Sequence, residues 1–380
     1  MNICFVGMNV DERVVSNYDA VSIAGNKFQN GLVNALRQNN TVEKFVVLPY
    51  RTFPHHRLLI CNDRKYKKLE DYEVHVVKYI NFPILNYMSI KCSIHHAVQK
   101  WCDKNKDSDS VIILFNCASY KVKPLIQLSR KYNIPFFVII ADVVPKTNNF
   151  FREIERKKQE QLMKKVSGII PITDLIKKDF APNQYSLRIE GGVVDIPHNE
   201  KLDDSTILIT YTGALDENSS IDVLLDAFSS IRCKNLRLQI VGDGKYAKKV
   251  EEAAKKDSRI VFLGQVDNIR SIEIQNRSHI LVCPRLPDGY VTKYTFPSKL
   301  FEYLSTGHCV VAFHLEGIPE EYNEFIYYPK DNNADSLGRL LLELVENKVF
   351  FRKEQVVFMM KKQWTFQGKR LEKFISMPMK

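Results

Sequence analysis

Short apolar runs alternate with longer stretches in which apolar residues recur every three or four positions, and the alternation runs the length of the chain. In the first half, residues 3–7, 45–48, 111–115 and 136–140 have the length and composition of buried strands. Helical spacing occupies 22–39, with Phe28, Leu32 and Leu36 on one face, and recurs at 89–102 and 123–132. Repeated strand–helix–strand units predict a parallel sheet covered on both faces. The polar stretch 62–72 is expected at the surface. A basic helix at 150–166, a strand at 168–173 and a short helix at 174–180 complete this half. The turn at 189–195 contains Gly191 and Gly192, whose backbone freedom suits a passage between domains, and a linker is expected near 196–204. The second half repeats the scheme, with strands at 206–212, 236–241, 259–264 and 280–283. Its helices fall at 221–229, 335–347 and 351–375, the last with Trp364 and Phe366 as apolar anchors.

A chain of 380 residues exceeds one ordinary core, so two domains are expected. The hydrophobic share of 45% and charged share of 26% belong to the soluble globular class. No apolar run approaches the roughly 18 residues that span a bilayer. The start of the chain goes directly into a strand and lacks the parts of a signal peptide. The eight cysteines form no C-x-x-C pair and no zinc spacing, so they read as buried thiols of a reducing cytoplasm. The net charge is +11, of which residues 1–200 carry +9. Basic surface attracts phosphates of any kind, and no nucleic-acid motif accompanies it. The reading that follows is an anionic membrane surface, with an ordinary solvated basic face as the alternative.

The chemistry concentrates at 284–311. A loop carrying Arg285 and Lys293 leads through Phe296 and Pro297 to a helix expected to start at Ser298, a good N-cap, and to end before Gly307. The first amides of a helix have no internal partner and carry partial positive charge. With Lys293 and Lys299 nearby, those of Ser298, Lys299 and Leu300 could hold a phosphate. Glu302 lies about one turn in and leans back toward the same place, where a carboxylate can accept two hydroxyl hydrogen bonds from a ribose. Amides for a diphosphate beside a carboxylate for a sugar describe a nucleotide-sugar site.

The segment T-K-Y-T-F-P-S-K-L-F-E-Y-L-S-T-G, residues 292–307, resembles the donor-binding segment of the GT-B glycosyltransferases, in particular the retaining family 4 and its capsule and exopolysaccharide branch. The resemblance implies an α/β fold of two Rossmann-like domains facing a central cleft. It implies an acceptor-side domain at 1–197, a nucleotide-sugar-binding domain at 198–355, and a terminal helix at 356–380 that packs back on the first domain. It implies metal-independent glycosyl transfer with retention and no cofactor, from a nucleoside-diphosphate sugar, UDP ahead of GDP, to a hydroxyl of a glycan. The acceptor is expected to be lipid-linked, at the inner face of the cytoplasmic membrane. The family often carries two glutamates eight positions apart here. Glu302 matches the ribose-binding second, and Tyr294 stands in place of the first.

Further site residues follow from the same comparison. Gly25, Asn26 and Lys27 match the family's first glycine-rich loop, which lies against the donor phosphates; a plain helix start is the alternative. Asp142 follows a buried strand where relatives have His-Asp, and Ala141 replaces the histidine. Asp142 could orient or deprotonate the acceptor hydroxyl, or cap the following segment. Gly213 opens a loop in which relatives commonly carry cations, but 214–220 here has none. Arg285, Lys293 and Lys299 are expected to compensate the leaving diphosphate instead. Gly264 ends a strand whose family counterpart lines the base. Gly242-Asp243-Gly244 with Ala247 fits G-x-G-x-x-A, the best single argument for a nicotinamide or flavin enzyme or an epimerase. It does not open the first unit of a domain, and no acidic residue follows at the next strand end. The missing glutamate, histidine and loop cations keep a non-catalytic nucleotide-sugar-binding relative open as well.

Overall fold

The computed structural model of the chain describes residues 1–62, 66, 70–144, 146–194, 202–203, 205–287 and 289–377. Its contacts divide into two units, Met1–Gly192 with Trp364–Lys380, and Val193–Gln363. Most of the expected linker at 196–204 lies outside the described residues.

The first unit runs β1 (Asn2–Gly7), α1 (Ile23–Leu36), β2 (Thr41–Val46), β3 (Ile60–Cys61), β4 (Val74–Val76), β5 (Tyr79–Ile80), α2 (Leu85–Asn105), β6 (Ser110–Phe115), α3 (Ser119–Tyr132), β7 (Phe136–Ile140), α4 (Phe150–Met163), β8 (Gly168–Pro171) and α5 (Asp174–Phe180). Six strands form one parallel sheet in the order β4-β2-β1-β6-β7-β8, while β3 and β5 make a separate antiparallel pair. β6 and β7 are buried along their whole length, which is why both read as unbroken apolar runs.

Two expectations for this unit are corrected. Residues 62–72 are not plain surface, because Tyr66 is fully buried. The reason is Lys44, which β2 places inside the protein. Its ammonium donates to Glu70 Oε1 at 2.6 Å and to Tyr66 Oη at 3.2 Å, and a buried cation survives only with such partners. The cysteines are not all buried either: Cys92 is exposed, and in the second unit Cys233 is half-buried.

Lys121 on α3 is also buried, and burial alone pushes its ammonium down to about 8. An unfolded chain, with the ordinary lysine value of 10.5, binds more protons than the folded one between those two limits. This group therefore raises stability as pH rises from 8 toward 10.5 and imposes its full penalty below 8. Lys121→Met is expected to stabilise the protein at pH 7 by on the order of 2–3 kcal/mol and to remove that alkaline gain. Thermal melts of both proteins at pH 7 and pH 10 check it; equal midpoints at pH 7 would refute it.

The second unit runs β9 (Ile207–Thr212), α6 (Ile221–Ser230), β10 (Leu236–Val241), α7 (Ala247–Lys256), β11 (Ile260–Gly264), α8 (Asn268–Asn276), β12 (Ile280–Cys283), α9 (Tyr290–Lys293), α10 (Lys299–Ser305), β13 (Cys309–Ala312), β14 (Ile326–Tyr327), α11 (Ala334–Glu346) and α12 (Lys353–Met360). Its sheet is parallel, in the order β11-β10-β9-β12-β13-β14, the same winding as in the first unit. One core cluster joins the sheet to α6 and α11, and a second packs α10 and Tyr322 around β12 and β13.

The expected single helix at 351–375 is two, α12 and α13 (Trp364–Ile375), separated by the polar residues Lys361, Lys362 and Gln363. α13 belongs to the first unit. Trp364 stands edge-on to Phe28 of α1 at 5.3 Å. A Cβ on Gly31 would lie 2.2 Å from the indole nitrogen, so only glycine leaves the ring its place. Phe366 is 46% exposed and is no anchor; Leu371 and Phe374 bury that face instead. Among the described residues, no helix is long and apolar enough to cross a membrane.

Candidate active site

In sheets of this winding, successive connections leave in opposite directions from the first strand, and the parting loops open a crevice beyond the carboxyl ends. In the second unit that point lies between β9 and β12. Gly213 follows β9, and Arg285 lies two residues past β12. The two loops are tied across the gap, since Leu286 N–H donates to Ser220 Oγ at 3.2 Å.

Three glycines bring the neighbouring loops together. Gly213, Gly242 and Gly264 end β9, β10 and β11 with φ of 138°, 146° and 65°. Gly213 N–H donates to the Val241 carbonyl and Gly242 N–H to the Gly264 carbonyl, each at 2.8 Å. A Cβ on Gly242 would lie 1.8 Å from Gly213 O, and one on Gly244 2.6 Å from Leu215 O. The glycines of the G-x-G-x-x-A match are thus required by backbone packing between loops, and the dinucleotide reading loses its support. A Cβ on Gly213 would meet Lys299 Nζ at 1.9 Å, so the bare α-carbon is what admits that ammonium.

Lys299 reaches across from α10. Its Nζ donates to Tyr211 Oη at 2.7 Å and lies 4.2 Å from the Tyr211 ring centroid. Tyr211 Oη in turn donates to Ala214 O at 2.6 Å. Burial pushes the lysine's pKa below its ordinary value; Cys283, Asp216 and Glu302 oppose this and the Arg285 charge adds to it. Arg285 is close enough to be felt there, and its buried Nε donates to no acceptor among the described residues. Lys293 stands elsewhere, with its ammonium 3.9 Å from Glu316 Oε2. Arg285, in the loop after β12, and Lys299, on α10, thus both stand at the crevice of the second unit, whereas Lys293 turns toward a carboxylate.

Glu302 is held by a residue that carried no signal in the sequence. Gln275 of α8 is buried, and its amide donates to Glu302 Oε2 at 3.2 Å and to Thr212 Oγ1 at 3.0 Å. Tyr303 fixes the other side of α10, accepting from Thr212 N–H at 2.9 Å and donating to Thr212 O at 3.2 Å. The start of α10 differs from expectation. Ser298 has helical dihedrals and its hydroxyl caps nothing. The Leu300 and Phe301 amides are taken by the carbonyls of Pro297 and Ser298 in a tight first turn. Phe296 packs against Phe301 and Tyr322, and Leu300 is fully buried, so both side chains belong to the core. In the loop at 214–220, which has no cation, Glu217 pairs with Lys245.

In the first unit, Ser22 Oγ accepts from Gly25 N–H at 3.2 Å and so caps α1. Asn26 is buried and its side chain exchanges two hydrogen bonds with the Val10 backbone, at 2.7 and 3.0 Å, while the neighbouring Lys27 is partly exposed. These residues shape the loop after β1. Asn116, with φ of 62°, ends β6 and organises the end of β7. Its Oδ1 accepts from Ala141 N–H at 2.9 Å and its Nδ2 donates to Asp142 Oδ2 at 2.9 Å. Asp142 is exposed, so no desolvation cost forces a role on it. It caps no helix either, because Asn149 caps α4. A cavity of about 350 Å³ opens here, lined by Asn116, Ala118, Asp142, Val144, Arg152 and Glu155 among others. Among the described residues, one His–carboxylate group has metal-ligand spacing: Glu43, Glu73 and His75, on and beside β2 and β4. Lys104 also pairs with Glu43, which makes it a surface ion-pair cluster at the far edge of the sheet from β7.

Residues 206–347 match the family described as "Glycosyl transferases group 1". No curated protein sequence matches the chain. Among solved structures, the HepE protein of Anabaena in complex with UDP superposes with a TM-score of 0.70 at 13% identity, covering 99% of this chain and 100% of that one. The lipopolysaccharide outer core galactosyltransferase WaaB gives 0.68 at 15% identity over 99% of both chains. Sucrose-phosphate synthase from Thermosynechococcus elongatus gives 0.67 at 13% identity over 98% of both. Residues 206–347 thus match a glycosyl transferases group 1 domain, and the chain has the two-unit, Rossmann-like fold seen in GT-B glycosyltransferase structures.

Proposed function

We propose that the protein is a retaining glycosyltransferase of family 4 type that moves a sugar from a nucleoside-diphosphate sugar to a hydroxyl of a lipid-linked glycan in surface polysaccharide synthesis. The observation that carries this is the pair of cations at the switch point of the second sheet. Lys299 carries a desolvation cost and Arg285 a buried donor left unmatched, and an anion bound beside them would offset both. A diphosphate is such an anion, and Glu302, which shares α10 with Lys299 and is held by Gln275 of α8, suits ribose hydroxyls. Solved structures of HepE hold UDP and UDP-glucose, which supports UDP as the carrier.

In this reading the acceptor oxygen bonds to the anomeric carbon on the face from which the diphosphate departs, the bond from that carbon to the diphosphate breaks, and the hydroxyl proton passes to a leaving phosphate oxygen. Arg285 and Lys299 stabilise the charge that develops on the leaving oxygen, and no metal is required. Asp142, oriented by Asn116, positions the acceptor hydroxyl. The basic first half of the sequence supports a location at the inner face of the cytoplasmic membrane.

The test is the thermal midpoint against UDP, GDP, CMP, NAD and nucleotide sugars without added metal, because a ligand of the folded state must raise it. A shift with UDP or GDP is expected. Glu302→Ala should weaken that ligand by about 10–100-fold, as removal of a charged hydrogen-bonding group does. A shift with NAD alone, or a UDP shift untouched by Glu302→Ala, would overturn the donor site.

A further inference from the structure

The β3–β5 pair and the start of α2 form one surface of the first unit that is apolar where water should meet polar side chains. In β3 and β5 the inward residues Cys61 and Tyr79 are buried. The residues facing outward, Ile60 and Ile80, are direct cross-strand partners and are 56% and 43% exposed. The outer face of an antiparallel pair normally carries polar residues. The surface continues onto the helix, because Ile80 N–H donates to Ser89 Oγ at 3.0 Å. There Phe82, Ile84, Leu85 and Met88 are 43–71% exposed. Single exposed apolar residues are ordinary, whereas a contiguous group of this size marks an interaction surface.

Charge identifies the occupant. Residues 51–62 and 74–102 contain no aspartate or glutamate, although the chain has 44. They contain Arg51, Arg57, Lys78, Lys91 and Lys100, and five of the nine histidines. Asp19 enters this rim, accepting from the Arg51 amide at 2.7 Å and pairing with His56 at 3.0 Å, and His75 belongs to the Glu43–Glu73 cluster, so the rim is predominantly basic. An apolar centre with a predominantly basic rim is complementary to a layer of acyl chains beneath anionic headgroups. The position fits as well. α2, α3 and α4 pack side by side, and each starts at the carboxyl edge of the sheet. The Asn116–Asp142 cavity opens at that edge, and Tyr87 of α2 packs on Tyr120 of α3 beside it.

We propose that this face, from the β3–β5 pair to the first turns of α2, seats the protein on an anionic phospholipid bilayer. The seat would let a lipid-anchored acceptor enter the cavity without leaving the membrane. That last clause rests on the function proposed above; the seat itself does not.

The experiment is co-sedimentation of the full chain with vesicles of phosphatidylcholine alone and with one third phosphatidylglycerol, in low and high salt. Binding is expected with the anionic vesicles, at least tenfold weaker with the neutral ones, and reduced by salt. Ile60→Glu with Met88→Glu should lower it at least tenfold. The control Val357→Glu, an exposed apolar position of α12, should leave it unchanged. Circular dichroism and the UDP-dependent thermal shift should be the same in all variants. Equal binding by the double variant, no binding to anionic vesicles, or a dimer in size-exclusion that only the double variant dissolves would each overturn the proposal. A lost UDP shift in the parent with intact vesicle binding would sink the functional reading and leave the seat standing.

Discussion

Lys299→Ala is expected to lower kcat with the donor sugar by about 10²–10³-fold, the usual cost of removing one preorganised group from developing charge. The fold should survive. The ammonium sits half-buried against Tyr211 and under the influence of Arg285, so its removal relieves repulsion and desolvation. The thermal midpoint of the unliganded variant should therefore equal or exceed that of the parent. Lys299→Arg should not restore the rate, because the ammonium already occupies the place a Gly213 Cβ would need, 1.9 Å from where that atom would lie, and a planar guanidinium is wider than an ammonium. A pH signature accompanies the loss. Burial holds this lysine below the ordinary range, so the free enzyme loses the charge at a lower pH than a surface lysine would. A bound diphosphate favours the charged form. The alkaline limb of kcat/KM is thus expected at a lower pH than that of kcat. Steady-state kinetics over pH 7–10 check this; a variant with the parent's kcat would remove Lys299 from the mechanism.

Gly242→Ala should cost about 3 kcal/mol or more, and Gly264→Ala only about 1–2 kcal/mol, although both glycines end neighbouring strands with positive φ. At Gly264 a Cβ meets nothing within 4 Å, so the backbone conformation is the whole penalty. At Gly242 the Cβ would lie 1.8 Å from the carbonyl oxygen of Gly213, and a backbone atom cannot swing aside as a side-chain tip can. One loop must move, and Gly213 beneath it is the floor of the Lys299 slot. Gly242→Ala is expected to weaken UDP along with stability, while Gly264→Ala leaves the slot unchanged. Chemical denaturation and UDP titration of the two variants separate the cases. Equal destabilisation would mean that the loops are not stacked as described.

Much of the architecture was legible in the residue pattern. The strands at 136–140 and 280–283 run as read, because a strand buried on both faces is written as an unbroken apolar run, and 236–241 runs as read with Arg237 and Gln239 alternating between buried apolar residues. The alternation of strand and helix identified two parallel sheets, and 292–307 pointed to the group 1 domain later matched over 206–347. Winding order within each sheet was not legible. Nor was the break at 361–363, since helical spacing continues through it.

The candidate site divides in the same way. Lys299, Glu302 and Arg285 were visible because they are charged and close in sequence. Gln275 and Tyr211 were not, because each acts on a residue at least 27 positions away and neither carries a local signal. Tyr66 and Glu70 read as surface for the same reason: a polar stretch scores as exposed until the buried cation it partners, Lys44, is known. The glycine motif at 242–244 shows the converse, a local pattern whose meaning is tertiary. By itself the sequence determined which segments are strands and helices and which charges a phosphate would find, since periodicity and charge are properties of neighbours along the chain. Only the tertiary structure decided which polar groups are buried, paired and aimed, since desolvation and hydrogen bonding depend on what lies across space.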